Sequence, residues 1–193
     1  GLLRIIIENK LSIRLRDLIN YAIRLYEEQG VEIKNENTEM EVLDFLKERM
    51  RNILKLKNIK IDIIEASISS HTGDNFLDLY KKNILMNKYI NKDVGINAIS
   101  SYKRASNITD KAEKGIIGRP DAVLFRTEEE KILFEKINEI RKAFTVKESN
   151  KDYENLLIRL SETKKFTDNF FDNVVVNDEN QDIKNNRLEL LKM

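Results

Sequence analysis

The scarcity of helix-breaking residues is the feature that most constrains this chain. It has one proline and six glycines in 193 residues, and apolar side chains recur three or four positions apart almost throughout. Such spacing places apolar side chains on one face of an α-helix, whereas a half-buried strand requires strict alternation. The sequence therefore predicts an all-α fold without a sheet of three or more strands. An antiparallel helical bundle is the simplest architecture.

End signals and apolar stripes place the individual helices. Thr38, with Glu41 three residues later, has the pattern of a capping box and predicts a helix start. The segment Ile59–Ser70 is short and β-branched, so it fits a strand or a helix, and the lack of a partner strand favours a helix. After a break at residues 115–120, further helices are predicted at about 128–143, 150–160, 168–174 and 183–191.

Residue types exclude several kinds of chemistry. The chain has no cysteine and one histidine, His71, which lies in a predicted turn and is interpreted as an ordinary surface residue. A thiol nucleophile, a thiolate zinc site and a helical hydrolase built on a His/Asp cluster are therefore disfavoured. Neither G-x-x-x-x-G-K-[ST] nor G-x-G-x-x-G occurs, so the common phosphate-binding loops are missing.

Two further predictions concern acidic side chains and membranes. Glu128, Glu129 and Glu130 fall in the first turn of a predicted helix, where they favour the helix dipole and are expected to be solvated. No apolar run approaches the roughly 20 residues that span a bilayer, and the features of a signal peptide are missing. A cytoplasmic protein is expected.

One helix carries a local basic surface in a chain whose net charge is only +1. Between Tyr102 and Arg119 there are five basic and two acidic residues. Helical spacing predicts one buried face, made of Val94, Ala98, Ile99, Tyr102 and Ala105. The opposite face carries Ser100, Lys103, Arg104, Asn107 and Lys111. Cations bind phosphates and amides bind base edges, so this face suits single-stranded RNA, although an ordinary solvated helix face has the same composition.

Three segments resemble a known family. Ser101–Ile108 resembles the K-R-x-x-N-I helix of the glycyl-tRNA synthetase β subunit. Phe170–Val176, followed by Asn185–Leu188, is similar to the terminal F-F-D-x-V-x-V and N-R-L-x-L-L signature of that family, and Phe45–Arg49 to its F-L-x-x-R helix. The segments occur in the family's order across most of the chain.

The resemblance implies a helical anticodon-binding domain of the DALR type over residues 85–193. Residues 1–84 would form a helical segment that joins this domain to the upstream part of the β subunit. In the family the α subunit activates glycine, so ATP and Mg²⁺ sites are expected there, and this fragment of a glycine-tRNA ligase is expected to be non-catalytic. The implied partners are the anticodon arm of tRNA-Gly and the α subunit, with no membrane or DNA partner.

The candidate RNA-binding residues follow from the basic helix and the resemblance together. Lys103, Arg104 and Asn107 are the central ones, and Lys111, Lys114 and Arg119 are supporting ones. A different class of function, a helical scaffold that docks another protein without binding RNA, fits the near-zero net charge equally well.

The terminal signature has its own structural interpretation. On the last predicted helix Arg187 lies in the same stripe as apolar residues, so it should be buried. A buried guanidinium requires a carboxylate, and Asp172 is the expected partner.

Overall fold

The structure is a computed structural model that describes residues 1–112, 117–144 and 152–193. Every regular element in these ranges is helical, and no strand occurs in them, which confirms the all-α prediction. The described residues include no helix that is both long and apolar enough to cross a bilayer. The chain divides into two compact units, residues 1–88 and 89–193.

The first unit is built around buried leucine and isoleucine side chains, together with Met50 and Phe76. Its helices are α1 (Leu2–Glu8), α2 (Leu15–Glu28), α3 (Thr38–Leu56), α4 (Ile61–Ser70) and α5 (Phe76–Tyr89), whose last residue belongs to the second unit. The ambiguous segment is thus the helix α4. Asp74 closes the start of α2 from a distant loop, because its backbone oxygen accepts the N–H of Leu15 and its carboxylate accepts the N–H of Arg16.

Two local predictions in the first unit are wrong. The capping box is not formed, because Asn37 is the N-cap residue and the Glu41 carboxylate accepts a hydrogen bond from the side chain of Asn35. His71 is not an ordinary surface residue, since it follows α4, its Nε2 is buried without a hydrogen-bond partner, and its ring lies edge-on to Phe76. Burial of the ring lowers the pKa of His71.

The second unit packs α6 and α7 against one long helix, α8. Its helices are α6 (Asp93–Thr109), α7 (Glu128–Phe144), α8 (Tyr153–Asn173) and α9 (Gln181–Lys192), with a 3₁₀ turn at Ala122–Leu124. The prediction of two short helices at 150–160 and 168–174 is therefore wrong, and residues 150 and 151 lie outside the described ranges. Residues 161–167 contain no glycine or proline, and Thr167 is buried against α6, so nothing interrupts the helix.

The hydrophobic core of the second unit takes most of its residues from the C-terminal part of the chain. Its buried members come from α7, α8, α9 and the connection between α8 and α9, and they are Leu133, Phe170, Val174, Val176, Leu188 and Leu190. Asn186, next to this core, accepts a hydrogen bond from the N–H of Asp121 at 2.6 Å and donates to its carbonyl at 2.9 Å. The α9 helix therefore fixes both the core and the chain that precedes α7.

Candidate RNA-binding surface

The fully buried residues of α6 are small or carry hydroxyl groups. Ser101 is buried and its hydroxyl donates a hydrogen bond to Thr167 of α8 at 2.8 Å, while Thr163 donates to Ser101 at 3.2 Å. Gly95 is also buried at the start of the helix. Small side chains let α6 approach α8 closely and fix how α6 is rotated about its axis.

The rotation of α6 differs from the predicted one. Tyr102 was expected in the buried face, but 72% of its surface is exposed. Ser101 and Thr109 are buried instead. The prediction that Tyr102 is buried is therefore wrong. The spacing of apolar residues does not reveal a helix contact that is formed by hydroxyl groups.

The outer face of α6 presents polar side chains to solvent. Lys103, Asn107 and Lys111 are exposed, and none of the three forms a hydrogen bond or ion pair through its side chain with any described residue. The neighbouring acidic residue, Asp110, is engaged by the hydroxyl of Ser106 at 2.7 Å. We use the term α6 surface for Lys103, Arg104, Asn107 and Lys111.

Arg104 differs from its neighbours because α8 holds its guanidinium. Nη1 donates to Asp168 at 2.8 Å and Nη2 lies 3.5 Å from Asp172, while the guanidinium carbon is 4.6 Å from the centre of the Phe171 ring. The side chain remains 41% exposed. Arg104 is thus oriented in advance but is bound by two carboxylates that a phosphate would have to share or replace.

Asp168 connects Arg104 to a second cation. Its Oδ1 accepts from Arg104, and its Oδ2 accepts a short hydrogen bond from Lys164. The hydrogen bond from Lys164, together with the one from Arg104, lowers the pKa of Asp168 below its ordinary value. Asp168 is therefore ionised near neutral pH and neutralises part of the positive charge beside the α6 surface.

The supporting candidates have different positions. Lys114 lies outside the described residues. Arg119 is exposed, and its backbone N–H and that of Ile117 each donate to Glu189 of α9 at 2.9 Å. Between them Gly118 has φ +74°, and a Cβ there would lie 3.0 Å from the carbonyl of Lys192. The α9 helix thus positions the backbone that carries Arg119.

Arg187 is buried, with 5% of its surface exposed, as its place on the helix predicted. Its Nε donates to Glu130 at 2.7 Å, and its Nη1 donates to Asp178 at 2.7 Å and to the carbonyl of Val175 at 2.8 Å. The predicted pair with Asp172 is wrong, because Asp172 lies at the end of α8 against Arg104.

Glu130 corrects another prediction, since it is fully buried and not solvated. Besides the guanidinium of Arg187, it accepts the backbone N–H groups of Arg126 at 2.6 Å and Thr127 at 2.7 Å. Burial alone would raise the pKa of Glu130, but the hydrogen bonds from Arg187 and the two N–H groups outweigh it and lower that pKa. Its spacing of three and seven residues from Leu133 and Ile137 would have placed it on the apolar stripe.

Sequence reasoning also missed a cleft beside α8 to which Asn97 and Lys165 contribute. The two residues lie on different helices, and no sequence spacing connects them. Among the described residues, no group of three or more His, Cys, Asp or Glu side chains is arranged to hold a metal ion.

Comparison with known proteins defines the class of the second unit. Residues 98–193 match the family model described as "DALR anticodon binding domain". The match covers most of α6 and all of α7, α8 and α9, so this helical unit is of the DALR anticodon-binding class.

The remaining matches define the family. Residues 1–69 match the model described as "Glycyl-tRNA synthetase beta subunit". The chain is 38% identical over 192 residues to the "Glycine--tRNA ligase beta subunit" of Rickettsia canadensis, 38% to that of Rickettsia africae and 35% to that of Rickettsia akari. Each alignment covers 100% of this chain and 27% of the relative. The chain belongs to the family of glycyl-tRNA synthetase β subunits, and it spans about a quarter of the length of these relatives.

Proposed function

We propose that this chain holds the anticodon arm of tRNA-Gly on the α6 surface, as the tRNA-binding part of a glycine-tRNA ligase. The observation that supports this most directly is the row of exposed Lys103, Asn107 and Lys111 side chains, whose donors are not engaged by any described residue. Lysine supplies non-directional attraction to phosphates, and asparagine supplies hydrogen bonds to a base edge. Arg104 adds a planar, oriented guanidinium beside them.

The remaining roles follow from the same proposal. Lys114 and Arg119, which follow α6 in the sequence, add further positive charge. Glycine activation, with its ATP and Mg²⁺, belongs to the α subunit, and this chain contributes tRNA binding without a catalytic group. Residues 85–193 act as the anticodon-binding domain, and residues 1–84 join it to the rest of the β subunit.

A binding titration tests the proposal. The chain is titrated with tRNA-Gly, with a tRNA of another anticodon and with an unrelated acidic polymer, each at two salt concentrations. Preference for tRNA-Gly at both salt concentrations supports anticodon recognition. Equal affinity for all three ligands would mean that the charges bind any polyanion, and absence of binding would remove the RNA proposal.

Substitutions locate the binding surface. Changing Lys103 and Arg104 together to Ala should weaken tRNA binding and flatten its salt dependence by about 0.7 to 0.9 in slope for each phosphate that is no longer neutralised. Asn107→Ala should reduce the preference for the glycine anticodon and leave that slope nearly unchanged. Lys131→Ala is the matched control, because Lys131 lies on α7 in a local pair with Glu128. If the double variant bound tRNA as tightly as the parent, the α6 surface would be an ordinary solvated helix face that does not bind RNA.

A docking role has one observation in its favour, in the first unit. An apolar groove of about 460 Å³ lies between α1 and α3, and Phe45 and Leu56, at its edge, are 55% and 78% exposed. Single exposed apolar residues are common, but a contiguous groove often marks a protein contact. This second role would be established if the parent chain co-eluted with the α subunit and Leu56→Glu did not, while the variant kept the parent's affinity for tRNA.

A further inference from the structure

A cleft of about 610 Å³ lies along α8 in the second unit, next to the α6 surface. Asn97 contributes from α6 and Lys136 from α7, while α8 contributes Glu162, Lys165 and Phe166 among others. Sites of this volume accommodate small organic ligands, and one nucleotide is within that range.

The side chains in the cleft offer three kinds of contact. The carboxamide of Asn97 is half-buried, and neither it nor the exposed groups of Glu162 and Lys165 has a hydrogen bond or ion pair with any described residue. The ring of Phe166 is half-buried, with the ammonium of Lys136 5.6 Å from its centre. An unengaged amide and carboxylate, a cation and an aromatic ring are the groups by which proteins bind an unstacked base and its phosphate.

The cleft is continuous with the α6 surface. Asp168 lines the cleft and also accepts the hydrogen bond of Arg104 at 2.8 Å. A strand whose phosphates lie along Lys103 and Arg104 would therefore pass the mouth of the cleft.

We propose that the cleft binds one unstacked nucleotide of the anticodon loop. Asn97 and Glu162 hydrogen-bond to the edge of the base, Phe166 contacts the base, and Lys165 binds its phosphate. Because a carboxylate accepts hydrogen bonds and does not donate them, Glu162 favours a base that carries an amino group. This inference rests on the proposed function and specifies where one base is recognised.

A thermodynamic cycle between protein and RNA tests it. The whole chain is titrated with the anticodon stem-loop of tRNA-Gly and with stem-loops that carry one abasic nucleotide at successive loop positions. At one position the removal of the base should weaken binding to the parent roughly tenfold. The same removal should cost Asn97→Ala only about threefold, because the substitution has already eliminated the hydrogen bond from Asn97, while the contacts of Glu162 and Phe166 with the base remain.

Controls separate the possible results. Asn91→Ala removes an exposed amide outside the cleft and should respond to every abasic position as the parent does. Lys165→Ala, at an exposed position, should show the same coupling to a methylphosphonate at the phosphate of the nucleotide identified by Asn97→Ala. Equal thermal stability of parent and variants shows that folding is unaffected.

If the parent does not bind the stem-loop, the proposed function itself fails. A different set of results refutes the nucleotide cleft alone. In that set the parent binds the stem-loop, the double variant at Lys103 and Arg104 binds it more weakly, and every abasic position weakens binding by Asn97→Ala as much as binding by the parent. The α6 surface would then stand as the RNA-binding surface.

Discussion

Replacing Arg187 by alanine should destabilise the second unit strongly. The guanidinium is the one cation within ion-pair distance of the buried Glu130 among the described residues, and it also binds Asp178 and the carbonyl of Val175. Its removal leaves Glu130 enclosed in protein with two backbone N–H donors, from Arg126 and Thr127. The carboxylate thus loses its opposite charge but not all of its hydrogen bonds.

The magnitude follows from this arrangement. Removing one partner of a buried ion pair costs about 3 to 5 kcal/mol, and the retained N–H donors favour the lower end of that range for Arg187→Ala. Glu130→Ala should cost as much or more, because it also leaves the two N–H groups unsatisfied. Asp172→Ala should cost no more than about 1 kcal/mol, because its 3.5 Å pair with Arg104 is solvent-exposed.

Urea denaturation at neutral pH measures these differences in the free energy of unfolding. Because the chain has two compact units, hydrogen exchange of peptides from α7 and α9 should accompany circular dichroism, so that the unfolding of the second unit is followed by itself. For Arg187→Ala, the urea concentration at the midpoint of unfolding should fall without a change in m-value. The double variant Arg187→Met with Glu130→Gln should lose less free energy of unfolding than the sum of the losses in Arg187→Met alone and Glu130→Gln alone. If Asp172→Ala proved as costly as Arg187→Ala, or Arg187→Ala cost less than about 1 kcal/mol, this account of the pair would be refuted.

Three further predictions concern pH and backbone packing. Because the pKa of Glu130 is lowered in the folded chain, the unfolded chain takes up its proton first as the pH falls towards 4.5 and below, so the second unit should lose stability there, and Arg187→Met should show a weaker loss. Because the pKa of His71 is lowered from 6.5, the unfolded chain is protonated first below that pH, so the first unit should lose stability as the pH falls through this range. Thermal unfolding from pH 5 to 7.5 should show this slope in the parent and not in His71→Phe. Gly95→Ala would place a Cβ 2.2 Å from the carbonyl of Tyr89 and should cost about 1 to 3 kcal/mol in urea denaturation. Gly73→Ala meets only ordinary contacts and should remain within about 0.5 kcal/mol of the parent.

Local sequence patterns predicted most of the helices, because the apolar period and the scarcity of breakers act within one helix. They predicted that Arg187 is buried for the same reason. They failed where the deciding partner is distant in sequence. The carboxylates around Arg104 come from α8, and Glu130, the fully buried partner of Arg187, comes from the first turn of α7. The place of Glu130 in the first turn of α7 suggested that it is solvated, although its spacing from Leu133 placed it on the buried stripe.

The candidate site was predictable to a similar extent. Lys103, Asn107 and Lys111 are exposed, as their positions on α6 indicated. Tyr102 was misplaced because hydroxyl groups, which a hydrophobic pattern does not count, form the contact between α6 and α8. The cleft at Asn97 and Lys165 depends on how three helices pack, and that information is tertiary.

The attachment of Arg104 to Asp168 and Asp172 changes what this arginine contributes to recognition. A phosphate that binds it competes with carboxylates already in place, so the free-energy gain is the difference between two similar ion pairs. In return, the guanidinium is immobilised before the ligand arrives and loses little rotational freedom on binding. Under the proposed function, Arg104 would therefore add little to the affinity for an arbitrary polyanion and would favour an oxyanion that fits the orientation set by α8.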